Sequence, residues 1–408
     1  MRLLTLREYG TADRVALSPI ERDELRRLVP SLSITPSFGA DECYDLRPGS
    51  FVGVVRVGDL AIEIRPKLPI DRLLFLISYT LDRRRWREVE FDLDPAQSLI
   101  DAIVPGFVAQ VRRATRRGVL QGYRVEEEAL LTIRGRVRFD DQIKRRFGRF
   151  PPAEVRYDDY TEDIEENRLL KAAITRLKRL PIRSDRARHA LRAFDLTLAG
   201  VQSFAYDPRQ LPEITWTHLN ERYRPAVALA KLILRSTSFD TRHGQVSASA
   251  FLVDMNQVFE DFVVLALRDA LRMNERTFPQ GAATRSLHLD HRHKISLKPD
   301  ISWWSGSRCQ FVGDVKYKRV NAEGVLHPDL YQLLAYSVAA NLPGGLLIYA
   351  AGEDEPARHD IVHVGKQLEV VTLNLSGSPE SILAQIDAVA SRVNSMAEVS
   401  LSPSAPPA

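Results

Sequence analysis

The sequence predicts an α/β chain, α+β overall, in which a β-rich and then mainly helical N-terminal half precedes a C-terminal domain built on a mixed central sheet. Short apolar runs broken by turn residues fill the stretch from Leu3 to Lys67. Helical spacing of apolar residues dominates from Asp71 to Ser236, with one strand-like interruption. Beyond it, strand-forming runs and helix-period runs alternate as far as Met396, the pattern of a sheet covered by helices. The expected division is a small β-rich domain over 1–67, a mainly helical region over 68–240 with a β insertion near 129–157, a second domain over 241–398 and a tail over 399–408.

Each element has a local reason. Phe51 to Ile64 reads as a hairpin turning at Gly58-Asp59, a dipeptide suited to a tight turn. After Arg65-Pro66-Lys67 the period becomes helical at Asp71 to Leu81 and again from about Pro95 to Gly118. Ala129 to Phe139 is strand-like with Gly135 inside it. Thr161 to Leu180 reads as a long amphipathic helix in which Asp163 and Glu166 have capping-box spacing. Further helices are expected over Asp185 to Gly200 and from about Glu221 to Ser236. Met255, Phe259, Phe262, Val263, Ala266, Ala270 and Leu271 form the stripe of a core helix. Ile295 to Trp304 and Cys309 to Lys318 are strand formers joined by turn residues, hence an antiparallel hairpin. A helix from Asp329 to Tyr336 follows, then strands Gly345 to Ala350 and Leu368 to Leu375. Ser378 with Pro379 starts a closing helix, as an N-cap followed by Pro in the first turn should. The final Ser402 to Ala408 carries too little apolar surface to order.

The hairpin bears the chemistry. Side chains alternate along a strand, so Asp314 and Lys316 share a face, and a three-residue loop at Gly306-Ser307-Arg308 would set Asp300 directly opposite Asp314. Two carboxylates that close repel each other and hold a proton unless a cation lies between them. Hard oxygen ligands with few protein contacts suit Mg2+, with Mn2+ as the alternative ion. Such an ion makes an oxygen nucleophile from water and screens a phosphodiester, with Lys316 placed to orient the water or stabilise developing charge. A bare Asp-x-Lys is usually an ordinary surface pair. Here Pro299-Asp300 on the preceding strand, with apolar residues on both sides, favours a site. Glu260 lies on the shoulder of the core-helix stripe, where a carboxylate facing a metal is tolerated. Gln332 and Tyr336 sit one turn apart on one helix face, within reach of a DNA strand or of the lysine.

Composition narrows the classes. With 408 residues and 44% hydrophobic content the chain can bury two or three cores. Its two cysteines, Cys43 and Cys309, exclude a four-cysteine iron-sulfur cluster and a disulfide framework. No apolar run is long enough to span a bilayer and the N-terminus lacks a signal-peptide core, so a cytoplasmic protein with no membrane partner is expected. The net charge of +4 is modest, but the arginines cluster: Arg112, Arg113, Arg116, Arg117 and Arg124, then Arg134, Arg136, Arg138, Lys144, Arg145, Arg146 and Arg149. Such runs suit either a solvated face or contact with phosphate or an acidic partner.

In order, Glu260, Asp300, Asp314-x-Lys316 and Gln332-x-x-x-Tyr336 resemble the PD-(D/E)xK nuclease superfamily, in the branch with the Q-x-x-x-Y helix. Asp314 stands where many members have Glu, one methylene longer. The N-terminal half is similar to the McrC family in Leu6-Arg7-Glu8-Tyr9-Gly10, Ile62-Glu63-Ile64-Arg65-Pro66-Lys67-Leu68, Arg134-Gly135-Arg136-Val137, and Thr161-Glu162-Asp163 leading into Glu166-Asn167-Arg168-Leu169-Leu170-Lys171. The resemblance implies a Mg2+-dependent endonuclease subunit of a GTP-driven, modification-dependent (methylcytosine) restriction complex. It further implies an AAA+ GTPase (McrB-like) hexamer as partner, with its GTPase stimulated on docking, and double-stranded modified DNA as substrate. In that scheme Asp300, Asp314 and Glu260 attend the metal, Lys316 serves the water, and Gln332 with Tyr336 support the DNA or the lysine. Arg134, Arg136, Arg138, Arg145 and Arg146 would touch the partner ring or DNA. No G-x-x-x-x-G-K-[S/T] stretch occurs in the chain, so nucleotide chemistry must come from another subunit. Two alternatives remain: a catalytically weak scaffold that activates an AAA+ NTPase, and a stand-alone RecB-like repair nuclease.

Overall fold

The computed structural model describes residues 2–39, 41–81, 98–240, 248–319, 327–351 and 357–401. The N-terminal segment contributes β1 (Arg2–Arg7), β2 (Ala12–Ala16), α1 (Pro19–Leu28), β3 (Ser33–Pro36), β4 (Cys43–Arg47), β5 (Phe51–Val57) and β6 (Leu60–Arg65). Strands β5 and β6 pair antiparallel with Val57 opposite Leu60, so the turn is Gly58-Asp59. Gly58 adopts φ 56°, which a tight two-residue turn demands. Ser18 and Glu21 form a reciprocal capping box that starts α1.

The middle of the chain is α2 (Ile70–Leu81), α3 (Leu99–Thr115), β7 (Gly122–Leu130), β8 (Arg136–Val137), α4 (Phe139–Arg146), β9 (Ala153–Thr161), α5 (Glu165–Leu177), α6 (Asp185–Thr197) and α7 (Arg224–Ser236). The strand expected over Ala129 to Phe139 is divided. The long strand lies upstream, β7 pairs with β9 along its whole length, and only Arg136 and Val137 of the expected run add to the sheet. Gly135 is the cause: at φ 70°, an added Cβ would lie 2.4 Å from the Arg156 carbonyl, so the chain turns tightly there.

The capping box expected at Asp163 and Glu166 does not form. The residue before α5 is Ile164, which makes no side-chain cap. Asp163 is claimed instead by Arg168, whose guanidinium donates at 2.8 and 2.7 Å to both carboxylate oxygens, and by the Gln202 amide at 2.9 Å. A bidentate charge-assisted pair outcompetes a single amide cap. Glu166 accepts from the Asn220 side chain.

Two further strands, β10 (Thr237–Asp240) and β11 (Ala248–Asp254), return to the N-terminal sheet, which is five-stranded in the order β1-β6-β5-β11-β10. The anticipated division at 240/241 thus falls between two paired strands of one sheet. Strand β5 is covered on both faces. Val55 and Val57 join a core with Leu25 and Leu28 of α1, while Val52 and Val54 join the main core with Phe251 and the helices. That double burial explains why β5 reads as an apolar run without alternation. At Gly53, an added Cβ would meet the Phe251 carbonyl oxygen at 2.0 Å.

The C-terminal part comprises α8 (Met255–Ala270), β12 (Leu287–His288), β13 (Ser296–Leu297), β14 (Ile301–Ser305), β15 (Arg308–Arg319), α9 (His327–Ala339), β16 (Gly344–Ala351), β17 (Ala357–Ile361), β18 (Lys366–Thr372) and α10 (Pro379–Leu401). Its sheet runs β14-β15-β16-β18-β17, with parallel pairing in the centre and antiparallel pairing at both edges, the mixed sheet expected. Val315, Leu346 and Ile348 join Phe259 and Phe262 of α8 and Ile382 of α10 in one core. Val312, Leu347 and Leu368 join Leu333 and Tyr336 of α9 in another. The sheet is therefore covered by helices on both faces, with β15 at the meeting of α8 and α9. Of the tail expected over 399–408, residues 399–401 instead complete the last turn of α10, and 402–408 lie outside the described residues.

Candidate active site

The register of β14 and β15 decides how the two aspartates meet. Ile301 faces Gly313, Ser302 faces Val312 and Trp303 faces Phe311, so one further step brings Asp300 level with Asp314. The loop that achieves this differs from the expected one. The turn is the two residues Gly306 and Ser307, with Ser305 paired to Arg308, and a one-residue irregularity after Trp303 restores the register. Gly306 sits at φ 59°, where a two-residue hairpin turn wants glycine. Asp300 itself just precedes β14, and its Oδ2 accepts from the Val315 amide at 3.0 Å. This bond ties the Lys298-Pro299-Asp300 segment to the strand that carries Asp314.

Asp314 is 0% exposed. Lys316, two residues on and on the same face, ion-pairs with it. Among the described residues, neither carboxylate oxygen has a hydrogen bond of good geometry beyond the close approach of Lys316 and Asp300. Buried carboxylates normally gather several donors, so this one is under-coordinated. Burial first, and then the neighbouring Asp300 charge, push the Asp314 carboxyl up to about 7, with Lys316 opposing. Burial alone would lower the Lys316 ammonium, but Asp314, with Asp300 and Asp329 behind it, outweighs burial and raises it.

Glu260 is half-buried on α8, and burial followed by the charges of Asp300 and Asp261 lifts its carboxyl to about 7, against the pull of Lys316. It belongs to the same electrostatic cluster. Tyr336 is buried on α9 and its hydroxyl donates to the Lys298 carbonyl at 3.2 Å, so it holds the approach to Asp300. Burial and then the charges of Asp314 and Asp300 raise the Tyr336 phenol, and the exposed Gln332 side chain contacts the same hydroxyl. The six residues singled out in the sequence thus lie in one neighbourhood.

Two supporting groups were not singled out as site residues in the sequence, although Glu8 lies in the Leu6-to-Gly10 segment that carries the resemblance. Asp329, in the first turn of α9, is buried, accepts from the Tyr349 hydroxyl at 2.7 Å and lies 3.4 Å from the Lys318 ammonium. Glu8 at the end of β1 is buried too, and its Oε1 accepts from the Tyr317 hydroxyl at 2.9 Å and the Lys67 amide at 2.6 Å. Tyr317 stands between Lys316 and Lys318, so the N-terminal sheet touches the strand that bears the site. The partners are 309 residues apart in sequence, and no local pattern announces the contact.

Among the described residues no group of three or more His, Cys, Asp or Glu forms a preassembled metal cage. Mg2+ does not need one, because it commonly takes one or two carboxylates and completes its shell with water. An all-oxygen pair whose buried member has, among the described residues, no donor beyond Lys316 and the neighbouring Asp300 fits such an ion.

The arginines near the β insertion are differently placed. Arg134 pairs with Asp159 at 2.8 Å and lies over the Tyr157 ring. Arg138 pairs with Glu127 and Asp141, and Arg146 with Glu154 at 2.9 Å. The more exposed Arg145 lies 3.9 Å from Glu154, and Arg136 is exposed on β8. Around them the β7–β9 sheet and α4 expose large apolar side chains, including Leu131 at 79% and Phe147 at 82%. The insertion is remote in sequence from Asp300, and none of its arginines is among the largest influences on Glu260, Asp314 or Lys316.

The McrBC 5-methylcytosine restriction system component family matches residues 46–350. This chain belongs to that family. The matched span of the McrBC family contains all six clustered residues, from Glu260 to Tyr336. A curated relative, the type IV methyl-directed restriction enzyme EcoKMcrBC of Escherichia coli K12, is 22% identical over 335 residues, spanning 76% of this chain and 94% of that protein. The fold is similar to a refined half-complex from the tetradecameric assembly of Thermococcus gammatolerans McrB AAA+ hexamers with bound McrC. That likeness has a TM-score of 0.57 at 16% identity and covers 95% of this chain and 100% of the other. No helix among the described residues is long and apolar enough to cross a membrane.

Proposed function

We propose that this McrBC-family chain is the Mg2+-dependent DNA endonuclease subunit of a GTP-driven, methylcytosine-directed restriction complex. It would dock on an AAA+ GTPase hexamer of the McrB kind and stimulate its GTPase. The observation that carries the reading is Asp314, fully buried, short of hydrogen-bond donors, level with Asp300 and beside an ammonium group.

Asp300 and Asp314 would hold Mg2+, or Mn2+, with Glu260 at its margin; when bound, the ion supplies an activated water nucleophile and charge neutralisation for a phosphodiester. The chain's own residues do the rest. Lys316 keeps its proton, because the surrounding carboxylates outweigh burial, and so acts on developing negative charge and on the orientation of water rather than as a base. Tyr336 pins the Lys298 carbonyl and thereby the position of Asp300, with Gln332 at the exposed rim. Docking falls to the β7–β9 insertion, whose exposed apolar side chains offer a surface for a protein partner and whose arginines are mostly neutralised by local carboxylates. Support for the partner comes from the fold shared with a chain bound to McrB hexamers.

One experiment tests this. Methylated and unmethylated duplexes are incubated with Mg2+ and the full chain, with and without GTP and with and without an McrB-type GTPase. Cleavage of the methylated duplex that requires the partner and GTP is the expected result. GTPase stimulation without any cutting would instead favour a scaffold, and cutting by the chain alone a stand-alone nuclease.

A further inference from the structure

We infer that the seven-residue loop 289–295 joining β12 to β13 is a DNA-backbone clamp that seats the duplex beside the Asp300–Asp314 pair; this rests on the nuclease reading above. The two strands pair through Leu287–Leu297 and His288–Ser296, and Leu297 runs directly into Lys298-Pro299-Asp300. The tip is an ordered device. Asp290 accepts amides from Ile295 at 2.8 Å and Arg292 at 3.2 Å, and Leu289 donates to the Ile295 carbonyl at 3.0 Å. The rings of His288 and His293 lie against each other with centroids 4.2 Å apart.

This ordered tip buries almost nothing. His291, Arg292, His293 and Lys294 are all exposed, as is Lys298 four residues further on. Asp290, the tip's own acid, is spent on backbone amides, which hold its carboxyl below the usual range. Among the described residues Arg292, Lys294 and Lys298 have no carboxylate partner. The arginines of the β7–β9 insertion stand in contrast, since Arg134, Arg138 and Arg146 are each answered by an acid. Unanswered cations on a rigid turn are suited to phosphate, because their field is not cancelled locally and no loop has to be ordered on binding.

Distance fits the same partner. Lys294 is six residue steps from Asp300, so at about 3.3 Å per residue the tip lies within about 20 Å of that residue. Phosphates on one strand of a duplex recur about every 3.4 Å along the axis, so the tip reaches a phosphate within about six base pairs of one held at Asp300. Because the contacts are to the backbone, they carry no base preference.

The test is a salt titration of DNA binding by the full-length chain on an unmodified 30-base-pair duplex without divalent ions, comparing wild type, Arg292→Ala/Lys294→Ala, Arg292→Lys/Lys294→Arg and Asp314→Asn. Losing two phosphate contacts should lower the slope of log affinity against log salt by about 2 and weaken binding about tenfold or more at 0.1 M salt. The charge-preserving variant should restore both, and the two tip variants should melt like wild type, since Arg292 and Lys294 are exposed. Asp314→Asn should keep the wild-type slope in this titration while abolishing cleavage of a methylated duplex with Mg2+, GTP and the GTPase partner. Absent binding by wild type, or an unchanged slope in the Ala variant, overturns the clamp. If the slope changes as expected but wild type does not cut a methylated duplex in the presence of Mg2+, GTP and the GTPase partner, the nuclease reading fails and the clamp stands.

Discussion

At the scale of single residues, the site rests on an imbalance between burial and charge. Asp314 and Glu260 are both lifted to about 7, whereas Lys316 is raised in spite of burial. Removing the ammonium should therefore separate two functions. Lys316→Ala takes away a cation that competes for Asp314, so Mg2+ affinity should stay equal or rise, while cleavage falls by about 10²–10³. Equal losses in binding and cleavage, measured by calorimetry and single-turnover kinetics, would assign Lys316 a structural role. A second residue-level prediction concerns acid stability. Arg168 holds Asp163 down at about 2 from an ordinary value of 3.8, against burial. A depressed carboxyl stabilises the fold above its unfolded value and loses that contribution as pH falls through the folded one. Wild type should thus lose about 1 kcal/mol or more between pH 4 and 2 that Asp163→Asn, already weaker at neutral pH, does not lose; parallel urea midpoints across that window would refute the assignment. Asp300, Asp314 and Lys316 were legible in the sequence because alternation on a hairpin is local. Asp329 and Glu8 were not, because their roles depend on Tyr349 and Tyr317, which only folding brings to them.

Among the elements, helices with a clear apolar stripe were legible to within a few residues, α8 and α7 being examples. The misreadings have specific causes. A spacing of acids suggested a capping box at Asp163, but an arginine one turn into α5 took the carboxylate. Alternation in 129–139 suggested one strand, but Gly135 turned the chain and the longer strand lay upstream, where its pattern of charged residues concealed it. The hairpin reached its expected register by another route, a shorter turn offset by an irregularity after Trp303. Glycine at position 53 is a further element-level constraint. Its φ of 138° and the close Phe251 carbonyl leave no room for a side chain at the β5–β11 contact. Gly53→Ala should cost about 2–4 kcal/mol in chemical denaturation, with a loss below about 0.5 kcal/mol contradicting the pairing described.

For the whole molecule, the N-terminal sheet and the domain with the candidate site are built into each other. Strand β5 pairs with β11, which leads directly into α8, and the Ser50 hydroxyl donates to the Asp254 cap of that helix at 2.8 Å. Phe75 and Phe262 meet edge to face at 5.5 Å, and Tyr79 donates to Asp269 at 3.0 Å. None of these contacts was legible, because each joins segments roughly 190 residues or more apart and sequence periodicity carries no information at that range. The consequence is that a fragment spanning 241–398 would expose the β11 edge and the apolar side of α8. It should show no cooperative thermal transition, whereas the full chain should; a sharp melt for the fragment would mean that the shared sheet is dispensable.

All of the chemistry proposed here depends on Asp300 and Asp314 taking up a divalent ion together. Calorimetric titration of Mn2+ and Mg2+ into the full chain measures this directly. Wild type should bind, and both Asp300→Asn and Asp314→Asn should lose that binding while keeping the wild-type melting temperature in the absence of metal. Undiminished metal uptake by the two variants would contradict the account.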